Sequence, residues 1–129
     1  MIIKNLEIND WVAYFSDEYC AYPIQVKRVN ADFSIETSDG AELDVGEIKP
    51  VELTEEILFK NGFIKSDEVE GFYYIKSEDG NMFIGINLEE EHPRIEMGGY
   101  GSLVTIWSVY IHDLQHGIRF CKIDKEIVV

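Results

Sequence analysis

The chain has 129 residues, 46% of them apolar and 28% charged, which is one domain's worth of ordinary globular composition and excludes a mainly disordered chain. No apolar run approaches the ~18 residues of a membrane-spanning helix, and Met1–Glu7 lacks the basic-then-apolar pattern of a secretory leader, so the expectation is a cytoplasmic chain with no membrane partner. Eleven basic against 25 acidic residues give a net charge of −14, spread as −7 over residues 1–53 and −7 over 54–129, which repels nucleic acid and anionic lipid alike.

In chain order, the first third reads as short strands. Trp11–Phe15 is rich in β-formers, and Pro23–Val29 alternates, with Ile24 and Val26 on one face and Gln25 and Lys27 on the other. Asn30–Asp32 is a turn, Phe33–Thr37 alternates again, and Ser38-Asp39-Gly40 is a further turn signal. Leu43, Val45 and Ile48 continue the pattern, while Leu6–Asp10 leads into the first strand. Four or five such strands predict a small SH3-like β subdomain over residues 1–53.

Pro50 ends that pattern. Thr54 is a good N-cap, Glu55 and Glu56 suit the positive end of a helix dipole, and Asn61-Gly62 provides a stop, predicting a short helix. Sheet follows. Phe72–Lys76 and Met82–Ile86 flank Asp79-Gly80, and Arg94–Met97 and Leu103–Ile106 flank Gly98–Gly101, which predicts two hairpins. A second helix is expected over about 108–116, capped by Ser108 and ended by Gly117, with Trp107, Ile111, Leu114 and Ile118 as its buried stripe. Phe120, Ile123 and Ile127–Val129 suggest a weak closing strand. The fold class is therefore α+β and mostly β: an SH3-like barrel at 1–53, then an α+β subdomain at 54–129 containing a helix, an antiparallel β-meander and a second helix. No linker separates the two, so one cooperative unit is expected.

Candidate chemistry is thin. Cys20 and Cys121 form no Cys-x-x-Cys pair and are expected to be reduced. Gly98–Ser102 lacks the strand–loop–helix order and the lysine of a phosphate loop, and reads as a hairpin. His112 and His116 have the i, i+4 spacing of a zinc pair, but they fall opposite the apolar stripe and are expected on the exposed face. A third ligand would have to come from His92 or Glu89–Glu91. The easier role for His112 is one hydrogen bond that fixes the helix, so no catalytic residue, cofactor or stoichiometric metal is expected. Trp11, Tyr14, Tyr19 and Tyr22 gather in the first subdomain, either as core or as an interaction surface.

Three segments together resemble a group of small proteins common in Bacteroidetes genomes and their prophages. Leu6–Val12 resembles their "L-R-I-G-N-W-V" opening, Ile48–Phe63 their "I-x-P-I-P-L-T-E-E-W-L-L-K-F-G-F" centre, and Tyr110–His116 their "Y-V-H-E-L-Q-N". Order and spacing agree across most of the chain. Asp10, Glu52 and His116 depart from the pattern, where the family has asparagine, proline and asparagine. The last change leaves only His112 matching, which weakens a metal role, and it suggests that the second helix ends earlier here. The resemblance implies phage or mobile-element ancestry and a small accessory role rather than an enzyme. The expected function is non-enzymatic, with another protein as partner and the oligomeric state open. An acidic DNA mimic that inhibits a nucleic-acid-binding protein is the alternative, and a small hydrolase or metal enzyme comes third.

Overall fold

β-Branched residues spaced two apart give the first part its strands. The computed structural model describes residues 6–15, 21–32, 34–89, 91–99 and 101–129. They divide into two units, Met1–Val51 and Glu52–Val129.

The first unit contains β1 (Trp11–Phe15), β2 (Ala21–Val29), β3 (Ile35–Thr37), β4 (Glu42–Leu43), a 3-10 turn (Val45–Glu47) and β5 (Ile48–Pro50). They form one antiparallel sheet in the order β4-β3-β2-β1-β5. Val12 faces Ile24 across β1 and β2, and Val12, Ile24, Val26, Ile35, Leu43 and Ile48 make the core. A register shift in β2 between Val26 and Arg28 ends the clean alternation and leaves Val29 exposed. The lead-in is a turn bonded to β2. The Asn9 amide donates to the Val26 carbonyl, the Val26 amide donates to the Asp10 carbonyl, and the buried Asp10 carboxylate accepts from the Glu7 amide at 2.8 Å. Among the described residues this sheet does not close on itself.

The second unit begins with α1 (Glu55–Lys60), whose Thr54 N-cap hydroxyl accepts from the Ile57 amide at 3.2 Å. Gly62 then takes a left-handed φ of +81°, and the Phe63 amide reaches back to the Leu58 carbonyl, so the helix stops after six residues. Next come β6 (Ile64–Lys65), β7 (Phe72–Lys76), β8 (Met82–Asn87), β9 (Arg94–Gly99), β10 (Ser102–Ile106) and α2 (Ile111–Phe120). The five strands form an antiparallel meander, β10-β9-β8-β7-β6, and both expected hairpins are present. Residues paired across strands share a face, so Tyr73, Ile86 and Ile95 form one buried row and Ile84 and Met97 another. The helices cover these rows: Phe59 of α1 meets Tyr73 edge-on at 5.8 Å, and α2 lies against Met97 and Ile84 at Gly117.

Four expectations are corrected in this unit. The second helix begins at Ile111 rather than near Ser108, because the preceding segment is held extended: the Leu53 amide donates to the Val109 carbonyl, and Glu52 bridges Tyr110. Trp107 is therefore off the helix and 70% exposed rather than part of its buried stripe. Gly117 does not end the helix. It is a buried contact residue inside it, where a Cβ would lie 2.8 Å from Met97 Sδ, and the helix runs on to Phe120. The tail from Ile123 makes no strand. Asn61 pins it instead, with Nδ2 donating to the Val128 carbonyl and Oδ1 accepting from the Val128 amide, each at 2.8 Å. No helix among the described residues is long and apolar enough to cross a membrane.

Candidate interaction surface

The histidines come first, since they carried the only metal-like spacing. Because α2 starts at Ile111, the face it buries includes His112 and Gln115 beside Ile111, Leu114 and Ile118. His112 is thus buried, not exposed as its place on the helix wheel suggested, and His116 is half-buried. The His112 ring stacks on Tyr110 at 6.0 Å and 8° and meets His116 edge-on at 5.9 Å. Its Nε2 stands 3.7 Å from the Asp113 carboxylate, beyond hydrogen-bond reach, and Asp113 accepts from the Ser108 hydroxyl at 2.6 Å. The fold brings His112 and His116 together. His92 is exposed between β8 and β9, where its carbonyl accepts from Arg94 Nη1 at 3.0 Å. Among the described residues no three of His, Cys, Asp and Glu gather in a way that could hold a metal ion.

The aromatic residues of the first unit divide. Alternation along β1 puts Tyr14 on the side of Val12, packed against the core, and turns Trp11 to the opposite face, where it is half-buried. Tyr19, Cys20 and the side chain of Tyr22 lie outside the described residues.

In the second unit, an open cleft of about 520 Å³ lies between the β7–β8 turn and the end of α2, lined by Ser77, Glu78, Asp79, Met82, Phe120, Cys121 and Lys122. Burial pushes the Cys121 thiol above its ordinary value, the opposite of what an activated nucleophile needs. Asp79 is held below the usual carboxylate range by the Ser77 hydroxyl and the Asn81 amide, so it stays ionised rather than poised as a general acid.

A different feature stands out on the meander. Its face away from the helices carries aromatic rings laid over glycines: Phe72 covers Gly85 and Phe83 covers Gly98, each so closely that a Cβ would sit 2.3 Å from a ring carbon. Arg94 lies on this face, bonded to Glu96 at 2.8 Å and set over the Trp107 ring at 5.9 Å. The sheet ends in β10, whose strand neighbour is β9. Leu103, opposite Gly98 on this face, is 60% exposed and Trp107 70%, while Val104, opposite Met97 on the other face of the edge strand, is 46% exposed. These residues sit inside Met97–His112, sixteen residues without one Asp, Glu, Lys or Arg in a chain that is 28% charged. The sequence reading missed this surface because it assigned Trp107 to a buried helix stripe. The gap in charge was the signal that could have found it. No family model, no curated protein and no solved structure matches the chain.

Proposed function

We propose that this chain is a non-enzymatic protein-interaction accessory protein of phage or mobile-element origin. The observation that carries this reading is the exposed, charge-free strand β10 with Trp107 beside it, on a molecule that otherwise bears a net charge of −14. Apolar surface exposed in continuity, rimmed by polar residues, marks sites of association. A large aromatic such as Trp107, held by Arg94, is the kind of side chain that dominates interface energies. The ancestry is supported by the three segments that resemble the Bacteroidetes and prophage proteins, and a cytoplasmic setting by the free, buried Cys121. The finer description of the first unit as an SH3-like barrel is supported by its five antiparallel strands and by the 3-10 turn that returns β5 to the free edge of β1.

The test is comparative affinity capture from the native host with the wild-type chain and with Leu103→Asp/Trp107→Ala, both checked for fold by circular dichroism. A protein held stoichiometrically by the wild type and lost by the double variant supports the reading. Identical retention by both chains, or a complex that survives the variant and is lost only when the first unit is altered, overturns it.

A further inference from the structure

The two sheets have four edges, and three of them are protected against pairing. β4 is two residues long and contains Glu42, β5 is three residues long with Lys49 and Pro50, and β6 is two residues long and contains Lys65. Short edges, charges and proline are the ordinary devices that keep strands from pairing with another chain. β10 has none of them: Ser102-Leu103-Val104-Thr105-Ile106 is five residues, uncharged and without proline, and its first three residues are exposed. An edge strand leaves the backbone N–H and C=O groups of alternate residues facing outward without a ladder partner.

Resting on the reading that this surface is an interaction site, we infer that its occupant is a second copy of this chain, joined by antiparallel pairing of β10 with β10 about a two-fold axis through Val104. The axis follows from length, because only a centre at the middle residue pairs all five positions. It sets Val104 against Val104, Leu103 against Thr105 and Ser102 against Ile106, with no like charges opposed. The next position outward sets Trp107 against the partner's Gly101, and a Cβ placed on Gly101 in this chain meets nothing within 4 Å, so there is room for the indole. Charge selects this contact over others. Two molecules of −14 repel, and the charge-free stretch Met97–His112 is where they approach without desolvating an ion. The carboxylate that precedes this stretch, Glu96 on β9, is already paired with Arg94. Its copy in the partner lies roughly 14 Å away, three strand spacings, beyond the Debye length of about 8 Å at physiological salt. The result is a continuous ten-stranded sheet in an isologous dimer.

An edge-to-edge strand contact belongs to the small class of interfaces, below about 1,200 Å², and a weak dimer with a dissociation constant of roughly 10–100 μM is expected. The test is sedimentation equilibrium of the full chain from about 1 μM to about 1 mM. A concentration-dependent monomer–dimer equilibrium is expected for the wild type and for Ile64→Lys on the opposite edge, with Val104→Lys monomeric throughout. Added salt is expected to tighten the dimer by screening the remaining repulsion. A wild-type monomer at about 1 mM overturns the inference, as does a dimer that Val104→Lys leaves intact. Cross-linking gives a second reading that does not depend on how Val104→Lys folds. In a Cys20→Ser/Cys121→Ser background, Val104→Cys should oxidise to a covalent dimer, since directly opposed residues have Cα separations that suit a disulfide. Ser102→Cys should not. The reverse pattern overturns the two-fold axis and the inference with it. A wild type that stays monomeric yet loses a host protein on Leu103→Asp/Trp107→Ala would sink the second copy while leaving the protein-interaction reading in place.

Discussion

At the scale of single residues, the clearest electrostatic device is where α1 meets the sheet. The hydroxyl of Tyr73, buried under Phe59, donates a short hydrogen bond to Glu55, and Lys65 reaches the same carboxylate at 3.3 Å. The Tyr73 hydroxyl and the Lys65 ammonium hold Glu55 below its ordinary 4.5, while burial, with help from Glu55, pushes Tyr73 from 10.0 up to about 12. The two shifts act on stability from opposite ends of the pH scale. The Glu55 contribution is present above 4.5 and is lost as the pH falls through its lowered value; the Tyr73 contribution is present below 10.0 and is lost as the pH rises toward 12. Tyr73→Phe removes the shared bond. It is expected to cost about 1 kcal/mol at neutral pH and to flatten both flanks of the stability–pH curve relative to wild type. Denaturant melts from pH 3 to 11 measure this, and a variant whose curve runs parallel to wild type would show that the bond contributes nothing.

At the scale of elements, the two helix ends compare closely. Both finish in the same backbone arrangement. Past α1 the Gly62 amide bonds the Phe59 carbonyl and the Phe63 amide bonds the Leu58 carbonyl; past α2 the Lys122 amide bonds the Arg119 carbonyl and the Ile123 amide bonds the Ile118 carbonyl. The left-handed position is glycine in the first, with φ +81°, and lysine in the second, with φ +55°. That difference explains what the sequence made legible. Asn61-Gly62 announced the end of α1, whereas the end of α2 fell on a lysine with no preference for that conformation, and the glycine nearby, Gly117, had a packing role that mimicked a stop. Lys122→Gly is therefore expected to stabilise the protein by about 0.5–1 kcal/mol, read as a rise in melting temperature. The strands and hairpins were legible because alternation and Asp79-Gly80 are local signals. The start of α2 was not, because it depends on a long-range hydrogen bond from Leu53 to Val109. The docked tail was equally invisible. Ile127 is buried, and the Asn61 amide holds the tail across 67 residues, with Lys60 Nζ donating to the Val129 carbonyl beside it. Asn61→Ala should cost about 1–2 kcal/mol, since it removes both hydrogen bonds that hold the Val128 backbone. Amide exchange at Val128 should rise well before exchange in the sheet, and unchanged protection there would contradict this account of the tail.

At the scale of the whole molecule, charge and its local absence govern what the protein can touch. The formal charge of −14 makes most of the surface repulsive to a second copy. The candidate site was only partly legible for that reason. A count of charges by halves shows an even spread, and only a window the size of Met97–His112 reveals the gap. Reading it as a surface required the structure, which takes Trp107 out of the helix and puts β10 at the edge of its sheet. The most direct measurement of this claim is amide hydrogen exchange followed by mass spectrometry at two protein concentrations, about 5 μM and about 500 μM. Peptides covering Ser102–Ile106 should exchange several-fold more slowly at the higher concentration, while those covering Ile64–Lys65 on the opposite edge keep the same rate at both. Equal rates in β10 at the two concentrations, or protection that appears at β6 instead, would contradict the account.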